Sequence, residues 1–427
     1  MTKADPTASR NGVFVWIFLP GDTEPTLCGR YEHTGTAAGR PVGSFVYGKS
    51  YLQNAAARPL DPYALKLANK TFDIAAHQGV FGAIADACPD DWGRYVIDRQ
   101  YGAQEFPLGY LLHSQEDRVG NLCFSASKDE PPLLAPPVSI ALLDEAWHVI
   151  ADLEAGRKIP PALAARIRPN TAMGGARPKL TVSDEEAQWL AKFPVQTDNP
   201  RRPVPKLEAA VLALAELCKI EVAKAHLVPI ERIGNHDAAL LVRRFDRTRV
   251  TVDGQAAWMR DGYASARTIF QSQPNFPADG FTGSYWLLAK EIQRWSERAQ
   301  ADRYELYRRM VFNCCVSNTD DHERNHGFIA SDTSDLYRLS PAFDLVPRLH
   351  GTKRRHQALG VGSFGHEATV ANLLSACDAF ELSETAARTI IEQVETVVQE
   401  NWRRMLLEHD IERDAVDELA PCFEPIP

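Results

Sequence analysis

Val13 to Leu19 is an unbroken apolar run closed by Pro20-Gly21-Asp22, the pattern of a short buried strand ended by a turn. A second strand is predicted over Phe45-Val46-Tyr47 and Tyr51-Leu52, around a Gly-Lys-Ser turn. Residues Asp73 to Cys88 carry a helical pattern that Gly79 and Gly82 weaken. Pro89 and Asp90 then offer a helix start, and Trp92, Val96 and Ile97 follow at helical spacing. Between Ser127 and Ser139 the chain is broken by Pro131-Pro132 and Pro136-Pro137, a linker that closes a first subdomain over residues 1–126. A short helix from Ala141 to Glu154 and a second proline-bounded loop complete a linking segment, 127–170.

From Thr171 the pattern changes. Lys179-Leu180-Thr181-Val182 and Gln188 to Phe193 read as a hairpin joined by Ser183-Asp184-Glu185-Glu186. Pro205 opens a helix with Leu207, Val211, Leu214 and Cys218 at spacings of four, three and four. His226 to Ile230 and Ala239 to Phe245 are predicted strands, which bounds a mixed unit over 171–248. The remainder, 249–427, is mainly helical: Tyr285 to Arg298, Arg303 to Val316, Val370 to Cys377, and Glu384 to His409 with Ser383 as N-cap.

Composition narrows the class. The 427 residues are 44% hydrophobic and 24% charged, ordinary for a globular protein with buried cores. A net charge of -9 argues against a dedicated nucleic-acid binder, whose affinity rests on a positive face. The eight cysteines are scattered with no CxxC pair, so they read as small core residues rather than zinc ligands. No run approaches the roughly 18 apolar residues of a membrane helix, and Val13 to Leu19 is too short for a leader. These features place the chain in a reducing cytoplasm, with no membrane partner.

The chemistry concentrates in Ser317-Asn318-Thr319-Asp320-Asp321-His322-Glu323-Arg324-Asn325, between an apolar helix and the strand-like Gly327-Phe328-Ile329. Nineteen residues after Asn325 comes Asp344, in Pro341-Ala342-Phe343-Asp344. Phosphoryl transfer needs a carboxylate near the attacking hydroxyl, hard oxygen ligands for Mg²⁺, and cations on the phosphates. An Asp, an Asn five positions on and a second Asp supply the first two. Lys192 lies in the apolar run Trp189 to Pro194, and Glu208 sits in the first turn of the next helix; a strand Lys paired with a helix Glu is the kinase arrangement. Taken singly, these residues also fit a snorkelling lysine, a helix-start acid and a solvated polar turn. Gly174-Gly175-Ala176 opens a turn whose backbone N–H groups can approach phosphate oxygens, with Arg177 and Lys179 adding charge.

In this order the motifs resemble the HipA family, kinase-fold toxins of bacterial toxin–antitoxin modules. The resemblance is carried by Pro89-Asp90-Asp91-Trp92-Gly93-Arg94, Gly174 to Lys179, Lys192, Arg244-Phe245-Asp246-Arg247, Asn318 to His322 with Asn325, and Pro341 to Asp344. It implies an α+β, two-lobed protein-kinase-like fold, with a mixed N-terminal lobe, an extra N-terminal subdomain and an all-helical C-terminal lobe. It implies ATP and Mg²⁺ as cofactors, Asp320 as the catalytic carboxylate, and Asn325 and Asp344 as metal ligands. Lys192 would contact phosphates, with Gly174, Gly175, Ala176, Glu208 and His322 around the nucleotide and Arg243 to Phe245 at the hinge beside the adenine. His322 would orient Asp320 or cap the loop.

The implied activity is transfer to Ser or Thr of a cytoplasmic protein, an aminoacyl-tRNA synthetase being the known type of target. The implied partner is a helix-turn-helix antitoxin of the HipB type, with DNA reached only through it. Where self-phosphorylating members carry a serine, this chain has Ala172, so self-modification through this loop is either lost or transferred to Thr171 beside it. Two other readings share the constellation: a small-molecule kinase, and a nucleotide-binding regulatory scaffold with little catalysis. Lys353-Arg354-Arg355-His356 reads as a solvated basic run, or as a surface for an acidic partner.

Overall fold

The computed structural model describes residues 12–35, 39–114, 118–134, 137–157, 177–195, 197–232, 235–273, 283–349 and 354–427. Thr171 to Ala176 and Lys353 lie outside these, and with them the glycine turn and the substitute phosphoacceptor.

The first apolar run forms a strand because both its faces are buried. Val13, Val15 and Ile17 enter the core of the N-terminal subdomain, while Trp16 packs with Phe18 and Cys123 on the other side. Strands β1 (Gly12–Ile17), β2 (Thr26–Gly35), β3 (Pro41–Tyr47), β4 (Thr71–Ile74) and β5 (Leu122–Ser125) make an antiparallel sheet in the order β4-β3-β2-β1-β5. Two local expectations fail here. Tyr51-Leu52 is not strand but the end of helix α1 (Lys49–Leu52), with Tyr51 inserted into the core. The helix expected over Asp73 to Cys88 shrinks to α2 (Gly82–Asp86), because His77, Gln78 and Gly79 all adopt positive φ. That turn is held by the Tyr31 hydroxyl donating to the Gly79 carbonyl at 2.6 Å.

Asp90 does cap a helix: its carboxylate accepts from the Gly93 N–H at 2.9 Å at the start of α3 (Asp91–Tyr101). Helix α4 (Leu108–His113) follows. Residues 138–154 are built into the next sheet, as edge strand β6 (Val138–Ser139) and helix α5 (Leu143–Glu154). That sheet combines β6 with β7 (Lys179–Ser183), β8 (Gln188–Lys192), β9 (Ala225–Arg232) and β10 (Asn235–Arg243), in the order β6-β7-β8-β10-β9. Trp147 of α5 stacks on Phe193, and Trp92 and Val96 of α3 share the same core, so the first subdomain is packed onto this sheet.

Helix α6 (Val204–Leu217) starts at Pro205 as expected and is buried on nearly every side. Leu207, Val211, Leu212 and Leu214 belong to the large core of the C-terminal half. That half carries α7 (Ala266–Gln271), α8 (Tyr285–Trp295), α9 (Ala299–Cys315), α10 (Val370–Ser375), α11 (Glu384–Glu408) and α12 (Arg413–Leu419). Ser383 caps α11, accepting from the Ala386 N–H. The half also holds elements that helical periodicity does not reveal: a hairpin of β11 (Arg247–Val252) and β12 (Gln255–Arg260), and a small sheet of β13 (Tyr263–Ser265), β14 (Gly327–Ala330) and β15 (Tyr337–Leu339). All eight cysteines are free and buried. Among the described residues no helix is long and apolar enough to cross a membrane.

Candidate active site

Lys192 ends β8, and Glu208 lies one turn into α6, whose packing leaves the carboxylate 2% exposed. The Lys192 ammonium donates to Glu208 Oε1 at 2.7 Å and Oε2 at 2.9 Å, and to Asp344 Oδ1 at 2.9 Å. Burial works to lower the lysine pKa, but the charges of Asp344 and Glu208 outweigh it and hold the ammonium above its ordinary range. Lys192 in turn keeps the Asp344 carboxyl below the usual carboxylate range. Burial raises the Glu208 carboxyl even with Lys192 pulling it down.

Glu208 has a second task. Its Oε1 accepts from the Asp344 backbone N–H at 3.1 Å, and Asp344 stands at φ +60°, a left-handed conformation that costs a non-glycine residue about 1–3 kcal/mol. Neighbouring backbone fixes the same segment: the Ala342 N–H donates to Glu221 O at 2.8 Å, and the Ala223 N–H to Ala342 O at 2.9 Å. Phe343 packs at 5.7 Å from Phe245, which brings the expected hinge against the Asp344 segment. Arg243 is exposed at the end of β10.

The Asp320 loop leaves the C-terminal end of α9. Its shape comes from the buried Asp321, whose Oδ2 accepts from the Tyr285 hydroxyl, from Asn313 Nδ2 at 2.9 Å and from His326 Nε2 at 2.7 Å. Ser317 Oγ donates to Cys422 O at 2.7 Å, so the C-terminal segment buttresses the loop. Asn325 Nδ2 donates to the Asp320 carbonyl at 3.3 Å, which leaves its amide oxygen as the acceptor end of the side chain. His322 accepts from the Arg324 N–H through Nδ1 at 3.3 Å, a loop cap. Asp320 is half-exposed and ion-paired with Arg348, four residues past Asp344.

The residues suit a hard divalent cation. Asp344 keeps 45% of its side chain exposed beside the lysine, and Asn325 contributes an amide oxygen; one carboxylate and one amide with waters are the donors Mg²⁺ accepts. Among the described residues no cluster of three or more His, Cys, Asp or Glu has metal-ligating geometry, so no all-protein cage competes with this pair.

Two cations expected near the phosphates are engaged by protein carboxylates. Arg177 forms a two-pronged pair with Asp198 at 2.8 and 2.9 Å, and Lys179 is buried against Asp90 at 3.2 Å. Arg244-Phe245-Asp246-Arg247 is largely structural: Asp246 accepts from Arg244, Arg247 and the Gly120 N–H, while Arg244 and Arg247 both donate to Arg118 O. Of the basic run after Asp344, Arg354 and His356 are exposed as a solvated run would be, and Arg355 departs from it. Arg355 is buried, donating to the carbonyls of Cys314 at 3.1 Å and Glu424 at 2.6 Å, and Arg354 pairs with Glu367.

The HipA-like C-terminal domain family matches residues 171–402, more than half of the chain and the whole of this constellation. The chain belongs to that family. Over 95% of its length this HipA-like chain superposes on 96% of the HipA chain from a Shewanella oneidensis MR-1 complex of HipA, HipB and operator DNA. The TM-score is 0.65 at 17% identity, which shows a shared two-lobed α+β fold. Two curated relatives come from Sinorhizobium fredii (strain NBRC 101917 / NGR234). "Putative kinase Y4dM" is 26% identical over 277 residues, 60% of this chain and 62% of that protein. "Putative kinase Y4mE" is 25% identical over 327 residues, 71% of each. The HipA-like chain thus spans less than two thirds of the first of them.

Proposed function

We propose that this chain is an ATP- and Mg²⁺-dependent serine/threonine protein kinase acting as a HipA-like toxin. The observation that carries the reading is the Lys192 ammonium held between Glu208 and Asp344, all within 2.9 Å, with Arg348 of the Asp344 segment pairing with Asp320 of the loop that also carries Asn325. A lysine fixed by a helix glutamate is set to contact nucleotide phosphates. Asp320 accepts the hydroxyl proton, and Asn325 and Asp344 hold the metal. When bound, Mg²⁺ would supply positive charge against the phosphates. Residues 171–248 hold the nucleotide and 249–427 carry the catalytic groups, with 1–126 as the added subdomain joined through 127–170.

The names of the two curated relatives and the shared fold support the kinase reading. The HipA neighbour's complex supports a HipB-type antitoxin as partner, with DNA reached through it. The acceptor is a cytoplasmic protein, by resemblance an aminoacyl-tRNA synthetase, and Thr171 is the candidate site of self-modification. Incubation with labelled ATP and Mg²⁺ tests this: label entering protein with the unaltered chain and lost in Asp320→Ala supports it. Nucleotide binding without transfer to any protein would overturn it.

A further inference from the structure

Arg348 donates through Nη2 to Asp320 Oδ2. Both side chains are about half exposed, 57% and 48%, where an ion pair contributes little to stability. The pair therefore needs another reason. A carboxylate on the surface rotates broadly about its last torsion. One charge-assisted bond to a single oxygen removes that freedom. Among the described residues Arg348 is the side chain that contacts the Asp320 carboxylate, and it contacts Oδ2 and not Oδ1. The backbone that carries Arg348 is tied to the same loop, because the Arg348 backbone N–H donates to Ser317 O at 3.0 Å. Ser317 is in turn fixed by its hydroxyl on Cys422 O and stands at φ +52°.

We infer that Arg348 is the positioning residue of phosphoryl transfer: it pins Oδ2 of Asp320 and aims Oδ1 at the acceptor hydroxyl. The inference rests on the kinase reading and adds a named residue to it. In the step it serves, the acceptor oxygen forms a bond to the γ-phosphorus of ATP. The bond from that phosphorus to the β,γ-bridging oxygen breaks, ADP leaves with the electron pair, and the hydroxyl proton passes to Oδ1. A contact through one nitrogen does not need the guanidinium fork, so a lysine can take its place.

The test uses the full chain, labelled ATP with Mg²⁺, and the soluble protein of the source cell as acceptor. Asp320-dependent initial rates are measured over a range of ATP for the unaltered chain, Arg348→Gln and Arg348→Lys. The apparent kcat of Arg348→Gln is expected to fall by roughly 10- to 100-fold, no more than the roughly 100-fold lower end of what a general base contributes because Asp320 itself is kept, with the KM for ATP unchanged within about twofold. Arg348→Lys is expected to keep most of the rate, which loss of folding would not allow. A rate for Arg348→Gln equal to or above that of the unaltered chain would overturn the role of Arg348 alone, and a raised rate would make it a gate. Absence of transfer by the unaltered chain would overturn the kinase reading and the arginine's role with it.

Discussion

Lys179 and Lys192 stand directly opposite each other across β7 and β8, two lysines on one face of one sheet. Like charges in that relation destabilise a strand pair unless each is answered. Here the answers come from different parts of the chain: Asp90 reaches Lys179 from the N-terminal subdomain, and Glu208 reaches Lys192 from α6. The first pair joins the subdomain to the sheet, and the second fixes Lys192, the lysine proposed to meet the nucleotide.

Breaking the Lys179–Asp90 pair should be costly because both side chains are buried. Lys179→Met leaves Asp90 inside without its cation and is expected to destabilise the chain by about 3 kcal/mol. Asp90→Asn keeps the helix cap but strands the lysine. The double variant should cost clearly less than the two singles added together, measured by urea unfolding. Simple additivity would mean the two groups do not act as a pair.

Lys192→Met removes the cation that Glu208 and Asp344 share. Transfer from ATP should drop by at least about 100-fold, as when a single stabilising donor is lost from a transition state. Glu208→Gln keeps a hydrogen-bond acceptor for both Lys192 and the Asp344 N–H, and should retain more activity than Lys192→Met. The reverse ranking in steady-state rates would count against this division of labour.

Asp344→Asn separates the metal role from the backbone role, because asparagine tolerates the left-handed conformation at this position. Transfer should be lost at every Mg²⁺ concentration while the melting temperature stays close to that of the unaltered chain. Asn325→Ala should raise the half-saturating Mg²⁺ by roughly tenfold or more, the loss that even an outer-shell change brings. An unchanged Mg²⁺ titration in Asn325→Ala would remove it from the ligand set.

Asp261 gives a pH signature. Burial, then the charges of Asp246 and Asp332, raise its carboxyl to about 6, above an unfolded value of about 3.9. Between those values the folded chain binds the extra proton, so stability falls as pH rises through this window and the penalty is complete above it. Asp261→Asn removes the charge. It should stabilise the chain at pH 7 by on the order of 1 kcal/mol, allowing for partial contact with solvent, and change little at pH 4. Melting temperatures at the two pH values check this, and a gain at pH 4 alone would contradict the sign.

The chain from Lys192 through Glu208 to Asp344 was legible because a charged residue in an apolar strand and an acid at a helix start are local anomalies. Asp320 and Asn325 were legible through their spacing. Arg348 was not, since nothing in Leu345 to Leu349 says which earlier loop the segment lies on. The network of Asp321, Tyr285, Asn313 and His326 assembles from three elements, and only the fold brings them together. Arg355 misled for the opposite reason: a run of cations reads as wet, yet its guanidinium fills the carbonyl ends around Cys314 and Glu424. The hairpin β11–β12 escaped notice because its exposed strands carry little apolar alternation.

Helix α6 has one further consequence. It is wedged between the nucleotide sheet and the helices of the other half, with Leu207, Val211, Leu212 and Leu214 all inside. Swinging it outward would expose these four side chains at about 1.5–3 kcal/mol each, several times the worth of the ion pair it carries. The helix that carries Glu208 is therefore fixed by its own core, and any control that worked by moving it would have to open that core.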